Sequence, residues 1–198
     1  MRRFLGRLFQ EPHKVFWKFL QCLFVWGRPR ARGNLLDGQI ILTQAFCDLA
    51  GGRISTTNKA LASFVGKLWQ ESNLPVYPQG EMATAMREIC VPVIAQTRLI
   101  SVNEVFKEGY FGSYEVALEQ KLLCDKMGWT RIVVVAYVSH IWRVVWVYRK
   151  LGFEVIVPGR LPKVIFEKDL VQWRHRRAIT AYPYELFARL YYLYKGYI

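Results

Sequence analysis

The feature that most constrains the fold is a run of apolar, mostly β-branched residues at 131–138, Arg-Ile-Val-Val-Val-Ala-Tyr-Val. Its apolar residues are continuous and do not alternate with polar ones. A strand of this kind is covered on both faces, which is typical of a parallel sheet flanked by helices. The run therefore predicts a central strand of an α/β protein.

Strand-like and helix-like segments alternate along the chain. Short apolar segments predict further strands at 39–46, 74–77, 93–99 and 153–157. Helical spacing predicts helices at 57–71, 81–90, 113–127, 140–151 and 168 to about 195, the last one broken near Pro183. A hydroxyl among residues 55–57 is the expected N-cap of the first of these helices, Ser113 that of the third and Ser139 that of the fourth. In the helix at 81–90, Ala85, Met86 and Ile89 are expected to face inward. This order predicts a doubly wound α/β fold with a mainly parallel sheet and helices on both faces.

The formal net charge of +13 is concentrated at the two ends of the 198-residue chain. Residues 1–32 hold eight Lys or Arg and one acidic residue, and residues 163–198 hold seven Lys or Arg and three acidic residues. The segment between them is nearly neutral. This distribution predicts a basic N-terminal extension over 1–32, a single domain over 33–198 that includes a helical tail, and an anionic partner.

The N-terminal extension has the pattern of an amphipathic helix. Polar residues such as Lys14 and Lys18 recur at helical spacing, and Phe19, Cys22 and Trp26 lie on another face. Two alternatives follow: a helix docked on the domain, or a helix at an anionic membrane surface. The apolar stretch at 15–26 is too short to span a membrane, and the basic run after it is not a signal-peptide cleavage site. The expected location is the cytoplasm, with peripheral attachment to the inner face of the plasma membrane as an option.

The cysteines and histidines do not have the spacing of a metal site. Cys22, Cys47, Cys90 and Cys124 are scattered, and the three histidines lie far apart in sequence. We therefore expect no metal centre, and we expect reduced thiols buried in the core.

Polar residues follow the predicted strands at their carboxyl ends, where open α/β sheets bind ligands. The candidate binding residues are Thr43, Gln44, Gln79, Gly80, Ser113, Glu115 and Arg143, and the candidate acid–base residues are His140 and Glu81. His140 and Arg143 are three residues apart at the start of a helix, so they share a face that suits a phosphate or a carboxylate. The alternative is that His140 caps its helix and Arg143 pairs with a surface acid.

The sequence leaves open whether the chain is an enzyme. It has no Gly-x-Ser-x-Gly nucleophile elbow, no phosphate-binding loop and no dinucleotide fingerprint. If chemistry occurs, His140 or Glu81 is the expected acid–base group. The second functional hypothesis is a noncatalytic binding module that basic tails hold on a membrane or on nucleic acid. No nucleic-acid-binding motif is present, so nucleic acid is the weaker of these two partners.

Several short motifs, in order, resemble those of the bacterial YdcF-like, SanA-like and ElyC-like family. They are Gln79-Gly80-Glu81 with Met86 and Cys90-Val91-Pro92, then Ser113-Tyr114-Glu115-Val116-Ala117, then His140-Ile141-Trp142-Arg143-Val144, and last Tyr184–Arg189 before a Tyr-rich end. The resemblance covers residues 38–198. It implies a Rossmann-like fold and a role in the biogenesis or integrity of the bacterial cell envelope. One relative is linked to S-adenosylmethionine, so the resemblance makes that cofactor an option here.

Overall fold

The computed structural model describes residues 12–26, 32–93 and 112–198 and contains a four-stranded sheet whose strands all run parallel. The strands are β1 (Ile40–Thr43), β2 (Val76–Pro78), β3 (Arg131–Val135) and β4 (Glu154–Ile156), in the order β2-β1-β3-β4. Thr43 lies opposite both Pro78 and Val135, so three strands end at the same level. The predicted Rossmann-like α/β fold is confirmed.

Helices flank this sheet. Within the described residues they are α1 (Pro12–Phe24), α2 (Thr56–Ser72), α3 (Gly80–Glu88), α4 (Ser113–Met127), α5 (Ile141–Lys150) and α6 (Ala178–Lys195). The Ser55 hydroxyl accepts a hydrogen bond from the Asn58 N–H at 3.3 Å, as expected of an N-cap at the start of α2. The boundaries of β1, α2, α4, β3, α5 and β4 fall within a few residues of the predicted ones.

Three local predictions are wrong or lie outside the described residues. Helix α3 ends at Glu88, so Ile89 lies beyond the helix and is 46% exposed and not inward. The last helix begins only at Ala178 and continues through Pro183, its sixth residue, although proline cannot donate the helical hydrogen bond to the carbonyl four residues before it. Of the predicted strand at 93–99, Val93 is irregular and residues 94–99 are not described.

The core is centred on β3, whose residues Ile132–Val135 are fully buried. Each such side chain stabilises the fold by about 1.5–3 kcal/mol through burial of its apolar surface. Gly38, which precedes β1, packs directly on β3. A Cβ at Gly38 would lie 2.6 Å from Val133 Cγ2, so the close approach requires glycine.

Helix α1 docks on the domain, which is the first of the two alternatives for the N-terminal extension. Cys22 is fully buried in the core, and Lys18 Nζ lies 4.9 Å from the centre of the Trp146 ring. The opposite side of α1 leaves Phe16, Trp17 and Phe24 exposed. No α-helix within the described ranges is long and apolar enough to cross a membrane.

The thiols do not all lie in the core. Cys22 and Cys124 are buried as expected, Cys47 is half-buried, and Cys90 is exposed just after α3. The prediction of a core position is therefore wrong for Cys90, because α3 ends before it.

Candidate functional site

Helices α4 and α5 begin side by side at the carboxyl edge of the sheet, and their first polar side chains meet there. Ser113, the first residue of α4, has its hydroxyl oxygen 2.8 Å from Nε2 of His140, which directly precedes α5. The prediction that Ser113 caps α4 is wrong. Gly112 occupies the cap position, and its N–H donates to Oε2 of Glu115 at 2.8 Å. Glu115 therefore binds the helix start, which leaves the Ser113 hydroxyl to His140.

His140 is buried and links two polar groups. Its side chain stacks on the Tyr137 ring, with 4.7 Å between ring centres, and its Nδ1 lies 3.3 Å from Oε2 of Glu185. Burial, and then the neighbouring charge of Arg143, lower the pKa of His140 from 6.5 to about 4. The imidazole is therefore neutral at pH 7. His140 occupies the N-cap position of α5 in place of the predicted Ser139, but its side chain makes no capping hydrogen bond, so the capping alternative holds for its backbone position only.

Arg143 binds a buried acid rather than a surface one. Its Nη2 donates to Oε2 of Glu185 at 2.8 Å, and its Nε donates to Oε1 at 3.1 Å. Burial raises the pKa of Glu185, but the charge of Arg143 and the hydrogen bonds outweigh burial and lower this pKa to about 2. Glu185 is therefore ionised, and His140 and Arg143 share a face that points at its carboxylate.

Arg189 completes this buried cluster and connects it to the N-terminal helix. Its Nε donates to Oε1 of Glu185 at 3.1 Å, and its Nη2 and Nη1 donate to the carbonyl oxygens of Ser139 at 3.2 Å and Val25 at 2.6 Å. Neither Glu185 nor Arg189 was among the predicted site residues. The available signal was an acid and a base four residues apart on an otherwise aromatic and apolar helix.

Gln44, at the end of β1, also joins the site. Its Nε2 donates to the Ser113 carbonyl oxygen at 3.0 Å, and its Oε1 lies 3.3 Å from Nε2 of His140. The neighbouring Thr43 is fully buried, and its hydroxyl has no hydrogen-bond partner among the residues with described positions. The polar ends of β1, α4 and α5 thus meet around Ser113 and His140.

Gln79, Gly80 and Glu81 lie at the end of β2 and do not reach this cluster through any described contact. Gln79 Oε1 accepts a hydrogen bond from the Ala45 N–H at 2.9 Å, and Gly80 is the buried first residue of α3. Burial raises the pKa of Glu81, and its Oε2 has no partner in the described part of the chain. The carboxylate beside His140 is that of Glu185, and Glu81 is not among the described neighbours that shift the pKa of His140.

A glutamine outside the predicted site residues fixes the strand ends. Gln120 Nε2 donates to the carbonyl oxygens of Tyr77 at 2.8 Å and Thr43 at 3.2 Å, and Gln120 Oε1 accepts from the Tyr148 hydroxyl. Gln120 is fully buried in α4. It therefore holds α4, and with it Ser113, against the carboxyl ends of β1 and β2.

His175 is a second buried neutral histidine, next to the cluster. Its ring packs edge-on against Phe46 and Tyr184, with ring centres 5.2 and 5.4 Å apart. Burial, followed by the charge of Arg174, lowers the pKa of His175 to about 3. Within the described ranges, no group of three or more His, Cys, Asp or Glu side chains is arranged to hold a metal ion.

Comparison of the chain with models of protein families, with curated proteins and with solved structures gives no match in any of the three. The resemblance to the YdcF-like family therefore stays a prediction from the motifs.

Proposed function

We propose that this chain binds a small ligand with a phosphate-like or carboxylate group at the carboxyl edge of its sheet, next to Ser113 and His140. The observation that carries the proposal is the 2.8 Å contact between these two side chains, which brings the starts of α4 and α5 together. Helix N-termini carry partial positive charge and N–H groups that point at a ligand. Ligands of open α/β sheets bind at this edge.

The charges behind the two side chains favour the same ligand chemistry. Arg143 and Arg189 both bind the carboxylate of Glu185, and His140 is neutral, so these four residues together carry one positive charge. Their side chains are almost fully buried, where charges are weakly screened. A ligand with negative charge at Ser113 compensates this charge.

The test compares two substitutions of equal size at Ser113. Ser113→Asp places a carboxylate where the ligand would bind, and an acidic residue in the first turn also stabilises α4. Ser113→Asn is the neutral control. Titration calorimetry with inorganic phosphate and with adenosine monophosphate should show binding to the Asn variant and at least about tenfold weaker binding to the Asp variant. Equal binding by both variants, or binding by neither variant nor the unmodified chain, would refute the proposal.

The wider role follows from the resemblance. A part in the biogenesis of the bacterial cell envelope, and S-adenosylmethionine as a cofactor, both remain predictions supported by the motifs around Ser113 and His140. Mass spectrometry of small molecules that copurify with the native protein tests them together. Recovery of S-adenosylmethionine or of an envelope precursor supports this role, and recovery of an unrelated metabolite contradicts it.

A second candidate function is attachment of the chain to an anionic membrane surface, and the outer side of α1 favours it. Phe16, Trp17 and Phe24 are 57%, 62% and 75% exposed, on a helix that also exposes Lys14. Aromatic residues beside cationic ones suit the interface of an anionic bilayer. Nucleic acid has less support, because the sequence contains no nucleic-acid-binding motif and Arg176 of the basic 173–177 segment donates to the Leu170 carbonyl oxygen at 2.7 Å.

Deleting residues 1–32 is not a clean test, since it removes the buried Cys22. Trp17→Asp is milder, and Leu122→Asp on α4 is its control, because Leu122 is similarly exposed at 66%. Sedimentation with vesicles of phosphatidylcholine and phosphatidylglycerol should show loss of binding for the Trp17 variant alone. Equal vesicle binding by the unmodified chain and both variants would exclude α1 as the attachment surface. Binding to DNA but not to vesicles, with an affinity that falls steeply as salt rises, would favour nucleic acid.

A further inference from the structure

We propose that Ser113 is a nucleophile toward small carboxylic esters, with His140 as its general base and Glu185 as the residue that positions His140. This inference rests on the proposed ligand site and names the reaction that would take place there. The three side chains come from α4, from the start of α5 and from α6. They form a continuous line, with 2.8 Å from Ser113 Oγ to His140 Nε2 and 3.3 Å from His140 Nδ1 to Glu185 Oε2.

The carboxylate decides which ring nitrogen carries the proton. Glu185 is ionised because Arg143 and the hydrogen bonds lower its pKa to about 2. A carboxylate can only accept a hydrogen bond, so it selects the tautomer with the proton on Nδ1. Nε2 then has a free lone pair directed at Ser113, and the Ser113 hydroxyl donates to it. This is the arrangement that a serine nucleophile needs from its base.

The two ends of the line differ in exposure as a nucleophile requires. Ser113 is half-buried, whereas His140 and Glu185 are each 3% exposed. The serine therefore keeps partial contact with solvent, while the base and its positioning residue stay shielded from water. Ser113 is also the first residue of a 15-residue helix, so negative charge that forms on a substrate oxygen there lies near the positive end of α4.

The nearby arginines favour an acyl group over a phosphoryl group as the reacting centre. Arg143 contacts the Glu185 carboxylate through both Nε and Nη2. Arg189 donates to the same carboxylate and to two backbone carbonyl oxygens. A transferring phosphoryl group usually binds arginine, lysine or metal ions directly. The attack on a carboxylic ester forms a single oxyanion, which the start of one helix can stabilise.

The reaction conserves atoms and electrons without a further reactant apart from water. Ser113 Oγ forms a bond to the ester carbon, and its proton moves to His140 Nε2. The bond from that carbon to the alcohol oxygen breaks, and the alcohol leaves with the proton from His140. Water then attacks the acyl-serine, its proton passes through His140 back to Ser113 Oγ, and the carboxylic acid is released.

The first experiment is labelling of the full chain with a fluorophosphonate probe, followed by peptide mass spectrometry. We expect the label on Ser113 and its complete loss in Ser113→Ala. Ser72→Ala is the matched control, because the Ser72 hydroxyl donates to the Leu68 carbonyl oxygen at 2.7 Å and not to a histidine. Thermal melting verifies that each variant folds. Absence of label on Ser113 in the unmodified chain would overturn the proposal.

A second measurement tests the positioning role of Glu185 without any variant. Nitrogen NMR of the His140 ring at pH 7 should show a proton on Nδ1 and a bare Nε2. A proton on Nε2, donated to Gln44 Oε1 at 3.3 Å, would overturn the mechanism, since that nitrogen then has no lone pair for Ser113.

Assays with two test substrates distinguish a failure of this inference from a failure of the proposed ligand site. Hydrolysis of p-nitrophenyl butyrate that Ser113→Ala abolishes supports the esterase assignment. Hydrolysis of p-nitrophenyl phosphate without hydrolysis of the ester contradicts it. Phosphate binding that differs between the Asp and Asn variants, together with an unlabelled Ser113, would leave the ligand site supported and reject the nucleophile.

Discussion

Replacing Glu185 by Gln should destabilise the protein strongly, although the two side chains have nearly the same size. The Glu185 carboxylate accepts hydrogen bonds from Arg143 at 2.8 and 3.1 Å and from Arg189 at 3.1 Å, and all three side chains are almost fully buried. The Gln variant leaves two guanidinium groups in the interior without a negative charge between them. Breaking a buried ion pair in this way costs about 3–5 kcal/mol. For a chain of this length, that corresponds to a fall in melting temperature of roughly 6–20 °C.

The assay is urea unfolding at pH 7, followed by tryptophan fluorescence, with Asp125→Asn as the control. Asp125 pairs with Lys121 at 2.6 Å with the same four-residue spacing on a helix as Glu185 and Arg189, but it is exposed. Its loss should cost less than about 0.5 kcal/mol. If the Glu185 variant loses no more free energy of unfolding than the Asp125 variant, the buried cluster does not have the role that we assign to it.

Three further predictions concern stability. The free energy of unfolding should fall as the pH drops from about 6.5 toward 4, because the unfolded chain binds protons on His140 and His175 that the folded chain excludes. Each histidine contributes up to about 1.4 kcal/mol per pH unit to this fall. Urea unfolding across this pH range should show a smaller loss of stability per pH unit for His175→Phe than for the unmodified chain. An equal loss in both proteins would contradict the role of His175. Glu115→Ala should lower the free energy of unfolding by about 1 kcal/mol, since it removes the hydrogen bond that caps α4. An unchanged melting temperature in calorimetry would contradict this. Gly38→Ala should cost about 1–3 kcal/mol by steric conflict with Val133, and a melting temperature equal to that of the unmodified chain would refute the close approach.

The sheet was predictable because its signals are local. The continuous apolar run at 131–138 marks a strand that is buried on both faces. Ser55 marks the start of α2 through its hydroxyl, and Gly128 marks the end of α4 through its left-handed backbone conformation. Two helices differ from their predicted course. Helix α3 ends before Ile89, and α6 tolerates Pro183 near its start.

The site was only partly predictable, because its central contact is not local. The position of His140 and Ser113 after predicted strands and before predicted helices follows from the general geometry of α/β sheets. Their partner Glu185 lies 45 residues after His140, on a helix whose packing no local pattern fixes. The sequence offered Glu81 and Glu115 as carboxylates near the strand ends, and both are held by their own helix starts. Burial of Glu185 between two arginines depends on the whole fold.

The position of α6 in the chain has a consequence for how the protein matures. Ser113, His140 and Arg143 leave the ribosome before Glu185 and Arg189, and Arg189 also binds the Val25 carbonyl oxygen next to α1. Until α6 docks, Arg143 has no Glu185 carboxylate beside it, and His140 has no acceptor that selects its tautomer. A nascent chain can thus form its strands early, yet the contacts around Ser113 and His140 are complete only when α6 packs against α1.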